Sequence, residues 1–216
     1  MPGNRWTDSF PDNFQWSNAT LVCKGMAPYN AVALGEIERI CGLINDLLAF
    51  SRPAPAEREA TDLNDLTAQI TRLVDAEARR RDVTVSCHAD PSLPLVVVDH
   101  AQVKQVLMNV ILNAIQACPP HGTVDVRTRT EETGGRRWCT IAVVDSGSGI
   151  PPEHLEHIFE PFFSTKDAGS GLGLFIARQI VAAHGGEIRA AAGPAGGSEF
   201  TIQFPLEPRL ADADVV

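Results

Sequence analysis

The sequence predicts an α+β fold, a two-layer α/β sandwich in which helices cover one face of a mixed sheet. Three observations lead there. Stretches with helical and strand periods alternate from residue 61 to about 207. Two alternating segments near the middle are spaced like a hairpin. A helix stopped by Gly185-Gly186 then leads into two final strands. Helices and strands mixed in this order bury their apolar sides by packing the helices on one face of the sheet.

The elements follow in order. Residues 1–30 contain Trp6, Phe10, Phe14 and Trp16 with no sustained period, and are expected to be irregular or disordered. From Ala31, Leu34, Ile37, Ile40, Ile44, Leu47 and Leu48 recur at three- and four-residue steps. That stripe predicts a helix close to a coiled-coil seam. Pro53 and Pro55 stop it, so it belongs to a segment 31–55. Its apolar face needs cover from a partner helix, a second copy of the chain or the following domain. Residues 56–60 read as a polar linker. Thr61 or Asp62 caps the next helix, with Leu63, Leu66, Ile70, Leu73 and Val74 on its buried face and Arg79, Arg80 and Arg81 at its negative end.

Val83 to Cys87 alternates like a strand, and Leu95 to Val98 is a short apolar one. Asp99 caps a long helix from about His100 to Ala117, broken by Pro119-Pro120-His121-Gly122. Val124 to Thr128 and Trp138 to Val144 form the hairpin, joined through Glu131 to Arg137. A glycine-rich region, Asp145 to Gly173, leads into a helix ending at Ala183. The last strands, about Glu187–Ala191 and Glu199–Phe204, flank a Gly/Pro turn, and residues 208–216 form a tail.

Composition narrows the function. The formal net charge of −9 argues against general binding to nucleic acid or anionic membrane, which takes a basic surface. The five cysteines (Cys23, Cys41, Cys87, Cys118, Cys139) have neither metal-ligand nor redox spacing and read as reduced thiols of a cytoplasmic protein. No apolar run reaches the roughly 18 residues of a membrane span, and the N-terminus has no signal-peptide order.

Four places carry chemistry. On the His100–Ala117 helix, Gln102, Gln105, Asn109, Asn113 and Gln116 make one polar stripe opposite Val103, Val106, Leu107, Val110, Ala114 and Ile115. It is either an ordinary wet face or a row of neutral amides whose oxygens suit Mg²⁺. The apolar run Ile141-Ala142-Val143-Val144 ends in Asp145-Ser146-Gly147-Ser148-Gly149. A carboxylate ending a buried strand needs a hydrogen-bond donor. The exocyclic amine of adenine supplies one, whereas the carbonyl of guanine repels. Gly147 and Gly149 let backbone approach the base. Read without a ligand, the segment is a plain Asp/Gly turn.

Gly169-Ser170-Gly171-Leu172-Gly173-Leu174 opens a helix, offering N–H groups and a positive dipole end to phosphate. It is neither a P-loop nor a dinucleotide fingerprint. Between the glycine sites, Ile158-Phe159-Glu160-Pro161-Phe162-Phe163-Ser164-Thr165-Lys166 reads as a surface loop with a hydrophobic plug, or as an anchored segment bringing Lys166 to a phosphate.

The order and spacing of Asn109/Asn113, Asp145-x-Gly147-x-Gly149, Phe159 to Phe163, Gly169-x-Gly171-x-Gly173 and Gly197-Ser198-x-Phe200 resemble the nucleotide-binding boxes of sensor histidine kinases of two-component systems. The resemblance covers about residues 34–206. It is strongest to the nitrogen-regulator-like branch, through Asn113-Ala114-Ile115-Gln116-Ala117 and Pro161-Phe162-Phe163-Ser164-Thr165-Lys166.

It implies the Bergerat ATP-binding fold over 61–207, preceded by one dimerisation-type helix, with ATP and Mg²⁺ as ligands. Asn113 would hold the Mg²⁺ with Asn109 beside it. Asp145 would hold the adenine amine, with Gly147, Gly149 and Ile150 shaping its pocket. Phe159, Lys166, Gly169, Ser170, Gly171, Leu172, Gly173 and Leu174 would belong to the lid and phosphate loop, and Ser198 and Thr201 would lie on a strand near the base. A response regulator, or a His-bearing dimerisation domain in trans, would be the protein partner, and helix 31–50 a homodimer contact.

The family's acceptor histidine, on the first helix of a two-helix hairpin, has no counterpart before His88. Phosphotransfer is therefore expected in trans, with no catalytic residue in this chain. The alternatives are a non-catalytic ATP-dependent regulatory module, and an ATP hydrolase of the chaperone or mismatch-repair kind. The latter carries a glutamate near the position of Asn109, and an amide is a poor base.

Overall fold

A computed structural model of the chain describes residues 56–166, 169–193 and 196–206, with the backbone at 16–17 and 20–21. The chain divides into two compact units, Met1–Asn45 and Asp46–Val216. In the first, β1 (Trp16–Ser17) pairs antiparallel with β2 (Thr20–Leu21). The helix expected over 31–50 and the tail 208–216 lie outside the described residues.

The second unit holds β3 (Glu59–Thr61), α1 (Leu63–Arg80), β4 (Thr84–His88), β5 (Val96–Val98), α2 (His100–Ala117), β6 (Thr123–Thr133), β7 (Arg136–Asp145), α3 (Pro152–Leu155), α4 (Gly173–Ala183), β8 (Glu187–Ala192) and β9 (Ser198–Pro205). Five strands form one sheet in the order β4-β6-β7-β9-β8. β4 runs parallel to β6 and the other neighbours are antiparallel, so the sheet is mixed as expected. A separate antiparallel pair joins β3 to β5, so a strand begins within the stretch read as a linker.

Asp62, not Thr61, caps α1, its Oδ1 accepting from the backbone N–H groups of Asn64 (2.9 Å) and Asp65 (3.1 Å). Leu63, Leu66, Ile70 and Val74 are buried as the period requires, but Leu73 is 59% exposed. Leu73 lies about 100° around the helix from Val74, at the edge of the buried stripe and on its solvent side. On α2, Val103, Val106, Leu107, Val110, Ala114 and Ile115 are all buried. They meet the inward residues of the sheet, among them Val124, Val126, Ile141, Val143, Ile202 and Phe204.

The hairpin is longer than its apolar residues suggest. β6 and β7 stay paired from Val124↔Asp145 to Thr133↔Arg136. Gly134 (φ 61°) and Gly135 (φ 71°) make the two-residue turn that favours such a hairpin. The outer ends were read as connection because they are polar. Cross-strand polar pairs are nonetheless compatible with a ladder on a solvated face.

The start of the domain is tied to its far side. The backbone N–H of Glu57 donates to Asp99 Oδ2 (2.9 Å), and Arg58 donates to the carbonyl of Ala183 at the end of α4 (2.7 Å). Buried His184 accepts from the Asp99 N–H at Nε2 (2.9 Å), while its Nδ1 faces the carbonyl of Ile180 (2.8 Å). These contacts lock the start of α2 to the end of α4. Among the described residues no helix is long and apolar enough to cross a membrane.

Candidate nucleotide-binding site

A cavity of about 830 Å³ opens between α2, the end of β7, the 148–170 segment and the start of α4. That volume lies within the usual range for small-molecule sites. Its wall on α2 is the amide stripe, with Asn109, Asn113 and Gln116 all lining it. This C-terminal part of the stripe faces a cavity rather than open water, while Gln102 and Gln105 lie outside it.

Asp145 sits at one end, only 3% exposed. Its Oδ1 accepts from the N–H groups of Gly147 (2.8 Å) and Ser198 (3.2 Å), and the Ser198 hydroxyl also bonds the carboxyl. Burial pushes its pKa above the ordinary aspartate range, against these bonds and the nearby Lys166. The close packing depends on Gly197 (φ +72°), where a Cβ would fall 2.0 Å from the Asp145 carbonyl oxygen.

At the other end Asn109 donates through Nδ2 to the carbonyl of Gly173 (2.9 Å), bracing the start of α4. Leu172, at the cap position of α4, has no polar side chain to satisfy the first-turn N–H groups. The start of α4, with the positive end of its dipole, borders the cavity, which favours an anion there. Gly171 (φ +68°) lies under Phe162, whose N–H donates to the Gly171 carbonyl (3.0 Å). Phe162 is thereby pinned to the glycine loop.

Lys166 crosses from that segment to α2. Its Nζ donates to Asn113 Oδ1 (3.1 Å) and Gln116 Oε1 (2.8 Å). Burial and the neighbouring Arg81 depress the ammonium's pKa, while Asp145 raises it. Two amide oxygens gathered on one positive charge are a donor set that also suits a hard cation such as Mg²⁺.

Of the residues singled out from sequence, Asn109, Asn113, Asp145, Gly149, Ile150, Lys166, Gly169, Ser170, Gly171, Gly173 and Leu174 line the cavity. Four do not. Gly147 packs on the end of α2 and holds Asp145 by its N–H. Phe159 and Leu172 are buried, at 8% and 3% exposure, Phe159 within the hydrophobic core. Thr201 sits on the opposite face of β9 from Ser198 and Phe200, both of which line the cavity. Side chains alternate along a strand, so Ser198 and Thr201, three apart, cannot share a face.

Sequence reasoning placed neither Gln116 nor Arg81 in the site. Gln116 was visible as the last amide of the stripe. Arg81, at the end of α1, had no local sign of reaching the cavity.

Comparison with known proteins identifies the family. The profile of the "Histidine kinase-, DNA gyrase B-, and HSP90-like ATPase" family matches residues 98–208. The sensor histidine kinase ZraS of Escherichia coli (strain K12) is 38% identical over 171 residues, covering 79% of this chain and 36% of ZraS. The chain thus spans little more than a third of that relative's length. The solved catalytic domain of histidine kinase ThkA, free of nucleotide, aligns with TM-score 0.63 at 32% identity, covering 69% of this chain and 96% of that domain. Full-length ShkA in complex with AMPPNP aligns with TM-score 0.73 at 25% identity, covering 88% of this chain and 40% of ShkA. With a family profile matched over more than half its residues and a fold shared with a kinase catalytic domain, the chain belongs to the histidine kinase-, DNA gyrase B- and HSP90-like ATPase family, on the side of the sensor histidine kinases.

Proposed function

We propose that the cavity holds Mg·ATP and that the domain passes the terminal phosphate to a histidine presented from outside it, as the ATP-binding catalytic region of a two-component sensor kinase. The observation that carries this reading is the polarity of the cavity. A buried carboxylate lies at one end, while neutral amides, a lysine and the start of a helix lie toward the other. Asp145 accepts from the adenine amine, Gly149 and Ile150 flank the base, and the α4 start with Gly169 to Gly173 lines the phosphates. Asn113, aided by Gln116, would hold Mg²⁺ through the amide oxygens that now face Lys166. The metal supplies charge neutralisation along the phosphate chain.

Asn109 is tied to Gly173 and carries no base, so water is not activated there. The domain therefore suits transfer to a protein acceptor better than hydrolysis. A response regulator then receives the phosphoryl group from that histidine, and the pairing occurs on the cytoplasmic side.

Calorimetric titration of the chain with a non-hydrolysable ATP analogue tests the site. Binding is expected with Mg²⁺ and weakens at least about tenfold in EDTA, a loss of about 1.4 kcal/mol. Absence of binding refutes the nucleotide reading, and an affinity indifferent to EDTA refutes the metal's place in it. Incubation with labelled ATP and a separate His-bearing helical hairpin tests transfer: acid-labile label on the hairpin is expected, and none refutes the kinase role.

A further inference from the structure

We propose that Arg81, at the end of α1, is a phosphate-binding residue of this site, reaching the nucleotide from the wall opposite the glycine loop. The inference rests on the nucleotide reading above and adds a contact from an element that reading does not use.

Three observations carry it. Arg81 lines the same cavity as Gln116, Lys166 and the glycine loop, although it comes from the end of a helix that otherwise packs on α2, β4 and β6. Its backbone is fixed there. The Arg81 N–H bonds back to the carbonyls of Glu77 (3.2 Å) and Ala78 (3.1 Å), the Val83 N–H bonds to Ala78 (2.9 Å), and the Asp82 carbonyl accepts from the N–H of His121 in the turn after α2 (2.6 Å). The guanidinium is thus offered from a rigid corner where the ends of α1 and α2 meet.

The second observation is charge. The amides along α2 are neutral and can orient a phosphate chain without offsetting its charge. Among the described residues lining the cavity, the lysine and arginine side chains are Lys166 and Arg81 alone, and the one carboxylate is Asp145. Arg81 lies close enough to Lys166 to help depress its pKa. Two like charges held together at one cavity wall are unfavourable until an anion joins them.

Third, Arg81 is only partly neutralised from within. Glu77 Oε1 accepts from its Nε (2.7 Å), with the Arg81 side chain 45% exposed and Glu77 half-buried, while Glu77 Oε2 turns to Arg80. The two terminal nitrogens of Arg81 take no part in that pair, and these form the planar fork that suits phosphate oxygens. A single Nε contact to a carboxylate shared with Arg80, on a side chain still in reach of solvent, leaves room for a phosphate to compete.

The test is binding of adenosine, ADP and AMP-PNP to the full chain and to Arg81→Gln and Arg81→Lys variants, with Mg²⁺ present and melting temperature as a check on folding. For Arg81→Gln the expected result is a loss of about tenfold for ADP or AMP-PNP or both, with adenosine within about twofold. Arg81→Lys recovers part of the loss, because the charge returns without the fork. Nucleotide affinities equal to those of the unaltered chain overturn the assignment while leaving the site itself standing. Equal losses for adenosine and the nucleotides also overturn it, since they place Arg81 in the structure of the pocket and not on a phosphate. If the unaltered chain binds none of the three, the site reading fails and takes this assignment with it.

Discussion

Replacing Asp145 by Asn separates what the carboxylate does for the ligand from what it does for the fold. Two backbone N–H groups, from Gly147 at 2.8 Å and Ser198 at 3.2 Å, fix Oδ1. An asparagine keeps its carbonyl oxygen on those donors and turns its NH₂ toward the place of the adenine amine. A charge-assisted acceptor becomes a donor facing a donor. Loss of a hydrogen bond to a charged group is worth about 1.5–3 kcal/mol, and 1.4 kcal/mol is tenfold in affinity. ATP affinity is therefore expected to fall about 10- to 100-fold, with GTP losing less because its carbonyl now meets a donor.

Stability moves the other way. Burial raises the pKa of Asp145 above its unfolded value of about 3.9. For a carboxyl with a raised folded-state pKa, stability falls as pH climbs through the window between the unfolded and folded values, and the deficit persists at pH 7. Removing the charge leaves the melting temperature at pH 7 unchanged or higher, by about 2–4 °C for each kcal/mol regained. Calorimetric titration with ATP and GTP beside thermal melts gives both numbers. Unchanged ATP affinity refutes the contact with the base, and a lowered melting temperature refutes the account of the buried charge.

Gly197→Ala places a Cβ 2.0 Å from the Asp145 carbonyl oxygen at φ +72°, and is expected to cost about 3 kcal/mol or more in urea denaturation. Gly196→Ala, at φ +91° with open space around it, is the control at about 1 kcal/mol. Similar losses in both would show that the close approach to Asp145 does not matter. His184 has a lowered pKa, through burial and Arg58, against the carbonyl of Ile180 and the charge of Asp99. A histidine with a depressed folded-state pKa loses stability as pH falls below its unfolded value of about 6.5. Melting temperature should drop from pH 7.5 to 5.5, and His184→Gln should flatten that slope. A slope unaltered by the substitution would place the titrating group elsewhere.

Sequence alone determined much of the frame. The buried faces of α1 and α2, the carboxylate closing β7 and the glycines opening α4 all follow from period and punctuation. These are local properties: whether one element has an apolar side is written in its own spacing. The amide stripe, too, was legible, because a face without lysine or glutamate is unusual for water. Tertiary structure decided what spacing cannot. It put Ser198, not Thr201, on the cavity side of β9, turned Phe159 and Leu172 into the protein, began a strand at Glu59, and brought Arg81 to the site from a helix more than thirty residues before Asn113. Each of these depends on which of two alternating faces meets another layer, or on where the end of one helix lands against the end of another. Such relations are set by register and packing between distant segments, and a pattern within one segment carries no record of them.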